Sequence, residues 1–363
     1  MRILLVPRGG SLLLFLVPLL GLPLLGVVLS GQSLAPYLEF PPLTHHVEHA
    51  SFSWPVFLGL ALLIAVLIAP CVRPIVEAIT SSGASLTKTH AFPLWGWAGV
   101  LLIALAWWLA WTRYLWFATF QAFTFTPLWL GYIVVINALT YRATGMSVLS
   151  NRPRYLLVLF VVSAAFWWFF EYLNRFVQNW YYVGIENFSP SAYMVYATLS
   201  FSTVLPAVVS TVGWLHTSNR LDSAFRHLCS IRTSHPALIG WTVFVFAGAG
   251  LMGIGIWPDY LFPLLWMSPL LIVTSFQAML RRETMFSSIR HGDWRPVCLP
   301  ALAGLQCGFF WELWNWHSLA HWEYTIPYVH RFLIFEMPLL GYAGYLPFGL
   351  ECLIVAHLIQ SKR

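Results

Sequence analysis

The amino-acid sequence predicts an all-α polytopic membrane protein with ten transmembrane helices and both termini in the cytoplasm. Three observations carry that expectation. Of 363 residues, 59% are hydrophobic and 9% charged, against about 25% charged in an ordinary soluble domain, too few to cover a water-facing surface. Ten apolar stretches have the length that crosses a bilayer, roughly 18–22 residues. The Lys and Arg residues gather on one side of those stretches, as cytoplasmic loops prefer. High apolar content without a charged or low-complexity tail excludes disorder.

The ten stretches are residues 10–30, 54–72, 92–112, 125–141, 155–174, 193–215, 236–256, 259–280, 296–314 and 332–358. The first follows Arg2 and Arg8, as the core of a signal peptide would. Its apolar run is long, however, and Pro36 follows the small-residue site Ser33-Leu34-Ala35, so an uncleaved anchor is expected. With the N-terminus inside, sixteen of the 19 Lys and Arg residues lie in inner segments, and only Arg113, Arg175 and Arg331 lie outside. A missed or invented span would scramble this alternation. It also accounts for the net charge of +6, so no nucleic-acid partner is expected. The acidic residues show the opposite bias. Glu39, Glu48, Glu171, Glu186, Asp259, Glu312, Glu323 and Glu336 fall on or near the outer side, with His45, His46, His49, His317, His321 and His330. The five cysteines are scattered without a CxxC pair, which argues against a disulfide framework, an iron–sulfur site or a structural zinc.

The chain also repeats itself at an offset of 141 to 146 residues. Trp111-x-x-Tyr114-Leu115 matches Trp257-x-x-Tyr260-Leu261, Pro127 matches Pro269, and Arg152-Pro153 matches Arg295-Pro296. Glu171-x-x-Asn174 matches Glu312-x-x-Asn315, each after an aromatic pair. Trp180-x-Tyr182 matches Trp322-x-Tyr324, and Pro206 matches Pro347. Four spans separate equivalent points, an even number, so the two copies insert in the same direction. Spans 3–6 and 7–10 are therefore expected to form a tandem parallel four-helix repeat about a pseudo-two-fold axis along the membrane normal. Residues 1–91 then form two extra N-terminal spans with an outer His/Glu loop, 92–235 the first repeat and 236–363 the second, all within one membrane domain.

The ionisable residues inside spans are the first place to look for chemistry, because burying them in lipid is costly. Glu171 with Asn174, and Glu312 with Asn315, lie at the outer ends of their helices, where i, i+3 spacing puts carboxylate and amide on one face. Each pair offers a general acid, a proton carrier or a cation ligand. Its structural alternative is polar glue between helices, Glu171 bonding Asn174 or pairing with Arg175. Glu336, near the outer end of the tenth span, is expected to approach Glu312 from the neighbouring helix. Glu351 lies about 22 Å deeper by helical rise, too far to act on the same atom, and reads as a helix–helix hydrogen bond or a snorkelling side chain.

Aromatics crowd the same ends. Trp167, Trp180, Tyr182, Trp311, Trp314, Trp322 and Tyr324 read as an interfacial belt or as a substrate-binding wall of π faces beside carboxylic acids, suited to a polyene, quinone or isoprenoid. Candidate metal ligands are His45, His46 and His49 in the first outer loop and His317 and His321 after the ninth span. On helices, His45 with His49, and His317 with His321, would each present two imidazoles one turn apart to a divalent metal. His45-His46-Val47-Glu48-His49 also fits a short zinc-peptidase pattern, which should lie on a catalytic helix with a distant carboxylate ligand. No nucleotide cofactor is expected, since the chain has no P-loop or dinucleotide fingerprint.

Three function classes remain. The first is a membrane enzyme or binding protein for a lipidic, isoprenoid- or quinone-like molecule, with membrane lipids as surroundings. The second is a proton- or cation-coupled carrier of an ion or solute, and the third a non-catalytic subunit of a membrane complex. Unequal histidines and an unmatched Glu336 favour one specialised site, and hence the first class, in a bacterial cytoplasmic membrane.

Overall fold

The computed structural model describes residues 9–42, 44–80 and 89–360. Five of the cations used above, Arg2, Arg8, Lys88, Lys362 and Arg363, lie outside the described residues. The chain is almost wholly helical. In order, α1 is Gly9–Leu29, α2 Trp54–Thr80, α3 Leu94–Trp111, α4 Phe125–Thr144, α5 Pro153–Val177, α6 Pro190–Phe201, α7 Val204–Leu215 and α8 Asn219–Ala224. Then follow α9 Pro236–Gly253, α10 Leu264–Met279, α11 Arg295–Asn315 and α12 Tyr345–Gln360. Four short strands complete it: β1 Trp180–Val183, β2 His321–Tyr324, β3 Leu333–Ile334 and β4 Met337–Pro338.

Among the described residues, seven helical stretches are long and apolar enough to cross a bilayer: 54–78, 94–111, 153–177, 190–215, 236–253, 295–315 and 339–360. An eighth forms if the 3-10 helix 115–123 and α4, bent by 66° at their junction, make one span. This is a helical integral membrane protein. The ten expected stretches all overlap helices, but two depart from a simple span. α10 is short because Pro263, which has no N–H to continue a helix, separates it from the turn at 258–261. The stretch 332–358 does not start as a helix at all, because Leu333–Pro338 pairs into the hairpin β3–β4.

Local breaks follow from proline and are repaired by polar side chains. Pro206 interrupts the ladder between α6 and α7, since its ring displaces the carbonyl four residues back. Ser163 of α5 closes the gap, accepting from Leu205 N–H at 3.0 Å and donating to Phe201 C=O at 2.6 Å. Pro269 opens α10 in the same way, and the freed Leu270 N–H donates to Glu351 of α12 at 3.0 Å. Glu351 thus makes the interhelical bond its position suggested. α11 and α12 approach closely because Gly304 faces Gly349 backbone to backbone, where a Cβ on Gly304 would meet Tyr345 O at 2.3 Å.

One sheet lies where α5 and α11 end. β1 and β2 pair antiparallel with Trp180 opposite Tyr324, Tyr181 opposite Glu323 and Tyr182 opposite Trp322. Two distant segments, each just after a Glu-x-x-Asn helix end, therefore close on one another.

Candidate functional site

The Asn of each motif fixes the strand that follows it. Asn174 Nδ2 donates to Trp180 O at 2.7 Å and its Oδ1 accepts from Asn179 N–H at 2.8 Å. Asn315 Nδ2 donates to Trp322 O at 2.6 Å and its Oδ1 accepts from Trp322 N–H at 2.8 Å. Both amides are buried and act as positioning residues, aiming the first strand residue back over the helix end.

What they aim is a set of donors for the two carboxyls. Glu171 Oε1 accepts from Tyr182 Oη at 2.6 Å, Trp167 Nε1 at 2.9 Å and Trp180 Nε1 at 3.2 Å. Glu312 Oε1 accepts from Tyr345 Oη at 2.5 Å and Tyr324 Oη at 2.7 Å, and Trp322 Nε1 donates to that Tyr324 oxygen at 2.8 Å. Both glutamates are fully buried, and in each the second oxygen, Oε2, has no partner among the described residues. Burial and the adjacent carboxyl hold the Tyr182 and Tyr324 phenols well above the ordinary value, so both keep their protons and donate.

The two carboxyl sites are not copies. Trp167, one turn before Glu171, corresponds at the 141-residue offset to Gly308. A Cβ there would lie 2.2 Å from the Tyr345 ring. The missing side chain admits Tyr345 from α12, which supplies the donor that Trp167 supplies in the other half.

Beside both sites runs a cavity of about 740 Å³. Trp167, Trp180, Tyr182, Trp311, Trp322, Tyr324 and Tyr345 line one end of it, with Asn179. The rest of the wall is mainly apolar and comes largely from α2, α6, α10, α11 and α12, with Tyr193, Tyr196, Ser200 and His321 as polar members. The carboxyls themselves stand one layer behind the wall, reached through the phenols. Trp314 is buried away from the cavity, against Trp107, Trp129 and Phe310. Sequence reasoning missed Tyr345, Asn179 and the cavity face of α2. For Asn179 the signal was present, a polar residue between Asn174 and Trp180; its Oδ1 is buried without a partner.

Two placements differ from what the sequence suggested. Neither histidine pair lies on a helix: His45, His46 and His49 sit in a segment without regular secondary structure, His317 in a turn and His321 in β2. His49 is occupied, Nδ1 on Asp259 Oδ1 at 2.7 Å and Nε2 on Gln178 O at 3.2 Å. His46 packs edge-on to Tyr181, while His317 stacks on Trp316. Among the described residues no three His, Cys, Asp or Glu side chains converge as a metal site needs. Glu336 is not on a helix either; the β3–β4 turn carries it. There, burial and then the charge of Glu323 raise its carboxyl above the ordinary value. Glu323 accepts from Tyr181 Oη and lies 3.4 Å from His321 Nε2. Burial, followed by that contact, pushes Tyr181 up to about 12.

Compared with known protein families, curated proteins and solved structures, the chain matches none.

Proposed function

We propose that this protein binds a lipidic, isoprenoid- or quinone-like molecule in the cavity, with the polar head at the Tyr182/Tyr324/Tyr345 end. The observation that carries this reading is the make-up of that end. The three phenols give their protons to Glu171 and Glu312. What these phenols have left to offer is lone pairs. Such an end selects a head that donates a hydrogen bond, as an alcohol or quinol does. Among the described residues no Lys or Arg lines the cavity, which disfavours a phosphate head.

The same geometry supports acid–base work on the bound head. As a quinol head gives its proton to the Tyr182 or Tyr324 oxygen, the phenol proton passes to the ionised Glu Oε1: the head becomes a quinolate anion, the carboxyl becomes neutral and the phenol is unchanged. The phenols touch the ligand, and the carboxyls act through them. We further infer that residues 92–235 and 236–363 are tandem halves about a pseudo-two-fold axis, with the sheet end facing outward. The strand register supports this: facing residues Tyr181 and Glu323 differ by 142, the offset of the sequence repeat. The paired carboxyls also suit a proton-coupled carrier, which ranks second because the cavity wall is mainly apolar.

The test is a titration of the purified protein with geranylgeraniol and with its methyl ether, followed by quenching of the cavity tryptophans. The alcohol should bind about tenfold tighter, since the ether leaves buried acceptors unpaired. Equal binding of both would remove the head assignment, and binding of neither would remove the lipid reading.

A further inference from the structure

The cavity does not end against α2. A second chamber of about 560 Å³ lies alongside it, bounded by Ala78, Leu215, Leu221 and Phe309. Ile75, Leu302 and Leu305 line both spaces, so these three side chains form the sill between them. α2 rests on the bundle chiefly at its two ends, against α8 and against residues 339–344. Cys71 Sγ lies 3.2 Å from Cys298 Sγ of α11. Between those supports the helix walls the cavity on one face and is exposed on the other.

Distances set what the first chamber alone can hold. From Trp311, at the head end, to Leu302, at the sill, α11 rises about 14 Å. At about 3.6 Å per three chain bonds, farnesol spans about 14 Å and geranylgeraniol about 19 Å. A tail longer than farnesol must cross the sill.

We infer that the second chamber receives the end of the lipid tail and that Ile75, Leu302 and Leu305 set the tail length the protein accepts. This rests on the lipid reading above. The occupant is the tail of the same molecule, because only three apolar side chains stand between the two spaces and the second is walled mainly by apolar residues, with Ser218, Arg220 and Gln306 as its polar members.

The test compares farnesol and geranylgeraniol on the full-length purified chain, again by tryptophan quenching. Wild type should favour geranylgeraniol by at least about tenfold, from the extra buried chain. Ala78→Phe, which fills the second chamber from a wall that does not line the first cavity, should bring geranylgeraniol down to the affinity of farnesol and leave farnesol unchanged. Leu305→Trp, which narrows the sill but also reaches into the first cavity, should weaken geranylgeraniol by more than it weakens farnesol. Equal weakening of both alcohols, or a geranylgeraniol advantage that survives both variants, overturns the inference while leaving the lipid reading intact. If wild type binds neither alcohol, the lipid reading fails and the tail assignment falls with it.

Discussion

At the scale of single residues, the two Glu-x-x-Asn motifs divide their labour: the amide builds and the carboxyl waits. Asn315→Ala leaves Trp322 N–H and C=O without their side-chain partner, at a cost of about 1–3 kcal/mol for each buried group. Thermal unfolding in detergent should therefore fall for Asn315→Ala, and for Asn174→Ala by the same argument. Glu312→Gln should fold, because its amide oxygen still accepts from Tyr324 and Tyr345, yet lose acid–base function. A variant that fails to fold would instead make Glu312 a purely structural residue. Glu336 gives a pH signature. Its carboxyl is raised by burial and by Glu323, so it favours the fold when neutral. That contribution is full below the ordinary glutamate value of 4.5 and is lost as pH rises through the folded value. Glu336→Gln should thus raise the melting temperature at about pH 7.5 and leave it unchanged at about pH 4. The glutamates and their aromatic partners were legible because a carboxylate in an apolar run is conspicuous. Tyr345 was not, because its role depends on Gly308, an absence of side chain 37 residues away in the chain.

At the scale of elements, proline positions and the polar groups that answer them decide where helices stop. Ser163 serves both exposed ends of the α6–α7 break, so Ser163→Ala should destabilise the fold by about 2–4 kcal/mol, and Ser163→Thr, which keeps the hydroxyl, by less. Circular dichroism melts of the pair separate loss of the bond from loss of packing. Apolar length located the long helices but not short ones such as α8. It could not separate a straight span from a broken one, because hydropathy is blind to which carbonyl a proline ring displaces. The stretch 332–358 shows the limit: Leu333 and Ile334 are apolar enough for a span, yet they pair with Met337 and Pro338 as a hairpin. The histidine spacing misled for the same reason. One-turn spacing has meaning only on a helix, and neither segment is one.

At the scale of the whole molecule, α2 is the helix least committed to the bundle and most committed to the cavity. Joining Cys71 to Cys298 by mild oxidation should fix it to α11 and slow lipid exchange without lowering the melting temperature. Reduction should restore the rate, and a stopped-flow quenching experiment reads both. Single-sequence patterns could not reveal this helix's role, since its face is ordinary membrane sequence and only its distance from its neighbours makes it a wall. The sheet that joins the two halves carries a historical consequence. If the halves descend from one ancestral unit that paired with itself, the residue on the two-fold axis faced its own copy. Two tyrosines or two glutamates there cannot form the Tyr181–Glu323 bond. That bond became available only once both copies shared one chain and could mutate separately, so the fusion that froze the dimer also released its axis from symmetry.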